Sequence, residues 1–142
     1  MIHFDVNYLA IFIAATVRMV LGSLWYSPFM FGPVWEKLSG VQGTDPAKME
    51  SVSAKINQPA YFSSFIGTLL VGFVLANLFI WAGTAGLING LVIGFLMWLG
   101  FMAPVGLTVT LFSKKSLNLF AIDYGNQLIV LLAMAAIIIS WA

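Results

Sequence analysis

Arg18, Asp123, Asn126 and Gln127 are the side chains best placed to do chemistry, because each interrupts a long apolar run. Arg18 is the only charge between Tyr8 and Tyr26. A guanidinium keeps its proton, so at that depth it needs a counter-charge, a polar partner or water. Asp123 is the only acidic residue inside any of the other long apolar runs, and Asn126 and Gln127 follow it at i+3 and i+4, on the same side of a helix. Counting from the connections, Asp123 lies roughly 9 Å past Leu117 and Arg18 roughly 14 Å from Ser27, at a rise of about 1.5 Å per residue. If both are measured from the same membrane face, an arginine side chain spans the difference, and an Arg18–Asp123 ion pair is expected. That pair has two uses. It is either a packing lock between helices, or part of a small-solute or proton-linked passage in which Arg18 attracts or gates an anion and Asp123 is its counter-ion.

Other chemistries find little support. His3, the only histidine, lies outside the apolar runs, and the chain has no cysteine. Haem or multi-histidine metal sites and thiolate chemistry therefore lack ligands, and no metal or cofactor is expected. No nucleophile, base and orienting group can be assembled, and no phosphate-binding glycine loop follows a strand, so no enzyme is expected either. With a formal net charge of +1 there is no basic patch to hold nucleic acid.

The elements that must position these residues are helices in a bilayer. Hydrophobic residues make up 61 % of the chain and charged residues 8 %, with a mean hydropathy of +1.01; soluble domains carry about 25 % charged residues. A bilayer helix needs about 20 apolar residues, and four runs qualify: about Tyr8 to Ser27, Pro59 to Ala82, Ala85 to Phe112 and Leu117 to Trp141. The first is read as a true span, since no basic region precedes it and no Ala-x-Ala-like cleavage site follows. The expected fold is all-α: an integral membrane four-helix bundle, one domain over residues 1–142, with an interfacial or cytoplasmic segment between helices 1 and 2. Lys37, Lys48 and Lys55 fall in the first connection and Lys114 and Lys115 in the third, so the positive-inside rule puts both connections in the cytoplasm and both termini outside.

The first connection reads in two halves. Phe29 to Leu38 mixes aromatic and apolar residues with Gly32, Pro33, Glu36 and Lys37, as suits a segment in the headgroup layer. Asp45 and Pro46 then form a helix start, and Met49, Val52 and Ile56 at helical spacing predict a surface helix to about Asn57. The second connection is a tight hairpin at Gly83 and Thr84, which should set spans two and three side by side. Asn77 and Asn89 flank it symmetrically, and an interhelical amide bond between them is expected. Gly86, Gly90 and Gly94 form a small-residue stripe for close helix contact, within the monomer or across an oligomer interface. Pro104 should kink span three near Phe101. Ser23, Tyr26, Ser63, Ser64, Thr108 and Thr110 fall in the same half as Arg18 and Asp123, so the polar interior is weighted toward the cytoplasm.

The run Gly22-Ser-Leu-Trp-Tyr-Ser-Pro-Phe-Met-Phe-Gly-Pro-Val-Trp35 resembles the signature of the bacterial family catalogued as domain of unknown function 1761. Leu96-Met-Trp-Leu-Gly-Phe101 and the stretch from Leu119 to Asn126 are also similar to it. The resemblance covers almost the whole chain and implies a four-span protein of a bacterial inner membrane, without a reaction or ligand. From the residues themselves, Trp25, Tyr26 and Trp35 are an aromatic interface anchor. Pro28 ends the first helix, and Gly32 permits a sharp turn that lays Phe29 and Phe31 back on the bundle. The function expected is that of a non-catalytic accessory or scaffold protein, associated with lipid and with its own copies or a larger membrane complex. No repeat relates spans one and two to three and four, which weighs against a self-contained transporter of the duplicated kind.

The orientation can be tested directly. Cysteines at Ser51 or Ser116 should be reached only by a membrane-permeant reagent, and one at Thr84 from outside. Labelling of Thr84→Cys solely after permeabilisation would reverse the topology.

Overall fold

A computed structural model describes the backbone of residues 1–39 and 46–141 and the side chains of residues 1–38 and 59–141. Asp45, expected as a helix cap, lies outside the described residues, as do the side chains of Met49, Val52 and Ile56. Six α-helices and no strand occur among the described residues: α1 (Tyr8–Trp25), α2 (Gly32–Ser39), α3 (Pro46–Trp81), α4 (Leu87–Met97), α5 (Ala103–Phe112) and α6 (Leu117–Ser140). The segment Trp98–Met102 between α4 and α5 is a π-helix. Four stretches are long and apolar enough to cross a membrane: Tyr8–Trp25, Pro59–Trp81, Leu87–Phe112 and Leu117–Ser140.

Local chemistry explains the boundaries. Asn7 caps α1 by accepting from the Ala10 amide at 3.1 Å, and Ser116 caps α6 by accepting from Leu119 at 3.1 Å. After α3, Gly83 takes φ +60°, and the Thr84 amide returns to the Phe79 carbonyl at 2.8 Å. This is a Schellman closure that satisfies carbonyls the helix end would leave orphaned. Lys114 does the same after α5 at φ +57°, with the Lys115 amide on the Thr110 carbonyl at 3.1 Å. A side chain in that left-handed region costs roughly 1–2 kcal/mol.

One boundary corrects the sequence reading. The surface helix expected to end near Asn57 and the span expected to start at Pro59 are one continuous helix, α3, with Pro59 inside it. No glycine falls between Pro46 and Ile66, so losing one backbone donor at Pro59 does not end the helix. In span three, Pro104 widens the helix into a π turn. A proline ring collides with the carbonyl four residues earlier, here Gly100, which lies within Trp98–Met102. The Ala103 amide reaches back to Trp98, and the Trp98 indole donates to the Tyr124 carbonyl at 2.8 Å, tying the wide turn to α6.

α6 is the axis of the bundle and touches every other described helix. Its Leu131, Met134, Ala135, Ile138 and Ile139 pack with Ile11 and Ala14 of α1 and with Leu75, Ala76 and Phe79 of α3. This core fills the end of the bundle nearer the N-terminus. α3 and α4, expected side by side, barely touch beyond their turn. α4 lies on α6 instead, and an apolar groove lined by Leu70, Val74, Met97 and Phe101 runs between α3 and α4.

Only part of the glycine stripe makes a close contact. A Cβ on Gly90 would come within 2.8 Å of the Ile139 side chain, and one on Gly94 within 3.2 Å of Ala135, so both face α6 of the same chain. Gly86 is not in the stripe. It is the N-cap of α4, at φ +88°, with nothing near its absent side chain. Gly106, unremarked in the sequence, is tighter still, since a Cβ there would overlap the Tyr124 ring.

The Asn77–Asn89 bond does not form. Asn89 donates to the Ala85 carbonyl of its own helix at 2.8 Å. Asn77, buried in α3, pairs both ways with the backbone of His3, accepting at 2.6 Å and donating at 3.1 Å. The segment before α1 has too few apolar residues to look like an element, yet it folds onto the bundle. Trp81 donates to the Met1 carbonyl at 2.7 Å, and the rings of Phe4 and Phe73 lie 5.9 Å apart.

Gly90→Leu should therefore destabilise the monomer by about 1–3 kcal/mol through overpacking against Ile139. Gly67→Leu, at a helical site with no atom within 4 Å, should not. Thermal unfolding in detergent, with size analysis alongside, checks both. A Gly90→Leu protein of unchanged stability but altered oligomer size would contradict the internal contact.

Candidate functional site

Of the polar residues predicted for one half of the bundle, Arg18, Ser23, Tyr26, Ser64, Asn126 and Gln127 converge, but through different partners. Arg18, on α1, does not pair with Asp123. Its Nη1 donates to the Thr68 hydroxyl of α3 at 2.5 Å and its Nη2 to the Gln127 Oε1 of α6 at 2.7 Å. The Thr68 hydroxyl donates in turn to the Ser64 carbonyl at 2.7 Å, which turns its lone pair toward the guanidinium. Thr68 is 0 % exposed. It holds three helices together through Arg18, and the sequence reading missed it. The available signal was that Thr68 is the only polar side chain between Ser64 and Asn77.

Asp123 is held by the aromatic anchor. The Tyr26 hydroxyl, just past the end of α1, donates to its Oδ1 at 2.6 Å. Burial, and then the bonded Asp123 carboxylate, push the Tyr26 hydroxyl above the usual phenol range, so it stays protonated and remains the donor. An arginine's reach across the difference in depth made Arg18 the expected partner, but depth does not fix which side of α6 a residue faces. His3 and Asp5 form an ion pair at 3.7 Å near the N-terminus, in the chain's first segment, far from Arg18 and Asp123.

The turn after α1 positions Tyr26. The Phe31 amide returns to the Trp25 carbonyl at 3.0 Å and the Gly32 amide to Ser27 at 3.1 Å. A Cβ on Gly32 would lie 2.5 Å from the Tyr26 carbonyl, so only glycine allows the approach. Phe31 lies 4.6 Å from the Trp25 ring, Trp35 meets Tyr26 edge-on at 5.9 Å, and the Trp25 indole donates to the Ile122 carbonyl at 3.0 Å. Phe29, expected to fold back with Phe31, is instead 96 % exposed.

Between α1, α3 and α6 lies a pocket of about 350 Å³. Arg18, Ser23 and Tyr26 line it from α1, Tyr61 and Ser64 from α3, and Asn126 and Gln127 from α6. Among the described residues lining it, Arg18 is the only charge. Asn126 adds an unmet demand: its Oδ1 is buried with no hydrogen-bond donor among the described residues, a state that costs about 1–3 kcal/mol. Ser63, Thr108 and Thr110 do not join the pocket; the two threonines bond to the Pro104 and Gly106 carbonyls of their own helix.

The family model for proteins of unknown function DUF1761 matches residues 9–139. The chain belongs to this family. No curated protein and no solved structure matches it. The match covers the aromatic turn, Arg18, Thr68 and the polar face of α6, so the whole pocket lies within the family domain.

A double-mutant cycle separates the partners. Tyr26→Phe with Asp123→Leu should show a coupling of about 1.5–3 kcal/mol, as for a hydrogen bond to a charge. Arg18→Leu with Asp123→Leu should be additive to within about 0.5 kcal/mol. The reverse ranking would restore the ion pair.

Proposed function

We propose that this protein is a non-catalytic membrane-embedded binding protein whose pocket holds an anionic group. The observation that carries this reading is the guanidinium of Arg18. Its hydrogen-bond partners among the described residues, Thr68 and Gln127, are neutral, so they orient the charge without cancelling it. A cation fixed by neutral groups in a low-dielectric setting is a strong attractor for an anion, and its remaining N–H donors suit a phosphate or carboxylate. Binding is favoured over conduction because the pocket is closed on one side. Beyond Arg18 and Thr68, Ala14, Ala15, Met134 and Ala135 are all 0 % exposed, and no polar side chain lines that path until Asn77 meets the N-terminal segment. The lysine distribution supports an orientation in which the pocket lies in the cytoplasmic leaflet, and the family resemblance supports a bacterial inner membrane.

Thermal unfolding in an uncharged detergent tests the reading. Inorganic phosphate or dodecyl phosphate at a hundredfold excess over its Kd should add about 2.7 kcal/mol to the stability of the wild-type protein and nothing to that of Arg18→Gln. If neither anion shifts the wild-type transition, the pocket is not an anion site.

A further inference from the structure

The shape of the pocket on its α3 side narrows the class of ligand. From Pro59 to Gly67 every residue of α3 is exposed except Phe65, whose ring reaches Phe12 of α1 at 5.8 Å. Exposure on all faces of a helix means that it is not packed along its neighbours. At Thr68 α3 is fully buried, so Thr68 is the point where α3 leaves the α1–α6 pair. A wedge opens from there, and the pocket is its inner end. One wall is polar: Tyr61, 58 % exposed, and Ser64 on α3, facing Arg18, Ser23 and Asn126. Phe62, 71 % exposed, and Ile66, 50 % exposed, lie four residues apart on a separate apolar face of α3, each about 160° around the helix from Ser64 at about 100° per residue.

Resting on the anion-binding reading above, we propose that the wedge admits an anionic phospholipid sideways from the bilayer. The phosphodiester would sit on Arg18, a headgroup hydroxyl would donate to Asn126 Oδ1, and the acyl chains would leave through the opening between α1 and α3. The complementarity is specific. Arg18 calls for an anion and Asn126 Oδ1 for a donor, and a glycerol-bearing phosphodiester headgroup supplies both. A choline headgroup supplies no donor. A soluble anion would meet the same two polar groups but would leave the lateral opening without a role. Gly22 lines the pocket with nothing within 4 Å of its absent Cβ, so a larger residue there fills the space without striking the fold.

The test uses full-length protein reconstituted in phosphatidylcholine bilayers with a minor fraction of phosphatidylglycerol, then released into uncharged detergent and weighed intact. Retention of phosphatidylglycerol about tenfold or more over phosphatidylcholine is expected, since both lipids offer Arg18 a phosphodiester but only the glycerol hydroxyl relieves the buried, unpaired Asn126 Oδ1, which contributes roughly that factor. Loss of that preference in both Arg18→Gln and Gly22→Leu, with folding confirmed by thermal unfolding, completes the expected result. The wild-type competition between the two lipids decides the matter even if a variant does not fold. Equal retention of both lipids would overturn the proposal. So would glycerol 3-phosphate displacing phosphatidylglycerol at equal concentration; the anion pocket would then stand and its lipid source would fall. If neither phosphatidylglycerol nor glycerol 3-phosphate binds, both readings fall together. A Tyr61→Cys protein that cross-links to a second copy while carrying no lipid would show that another chain fills the wedge, which also overturns it.

Discussion

A charge that cannot be neutralised, placed deep in an apolar helix, constrains the rest of this bundle. Hydrocarbon offers Arg18 no water, so the fold has to bring polar groups to it. It does so from both neighbouring helices, with Thr68 on α3 and Gln127 on α6. Those bonds fix α1, α3 and α6 around one point. On one side of that point the three helices close into the dry core of Ile11, Leu75 and Met134. On the other side they part. The same residue thus ends the tightly packed half of the protein and begins the open half.

The open half depends on a second set of contacts. Without the Tyr26–Asp123 bond and the Trp25 indole on Ile122, the end of α1 would have little to hold it beside α6. The turn that aims both aromatics requires glycine at position 32, and α2 braces it from outside through Trp35 on Tyr26. The aromatic motif is therefore more than an interfacial anchor. It keeps the polar wall of α1 in register with that of α6 while α3 stands apart.

The spans and hairpin were legible in the sequence because long apolar runs and Gly83 act locally, through hydration and through φ. Which polar groups meet was less legible. Counting residues along a helix gives height but not direction around the axis. Asp123 had a second hydrogen-bonding group within reach, the Tyr26 hydroxyl one residue before Ser27, and that group took it. Thr68 escaped notice because a lone threonine in a transmembrane run ordinarily bonds back to its own helix, as Thr108 and Thr110 do here. Thr68 does that and accepts from Arg18 as well. The N-terminal segment was invisible for a different reason: its attachment runs through backbone groups of Met1 and His3, which carry no side-chain signature.

The wide turn at Trp98–Met102 also bears on how the chain tolerates changes in length. A π turn holds one more residue than an α turn, and a one-residue offset rotates everything after it by about 100° around the helix axis. Deleting a single residue there would let the helix run in α form with the following segment still facing α6, whereas straightening the turn with every residue kept would swing that segment round. Gly106 would then leave the Tyr124 ring and a bulkier neighbour would be driven into it. Span three is thus spliced from two helical frames, and the extra residue is what lets α4 and α5 each present a glycine to α6.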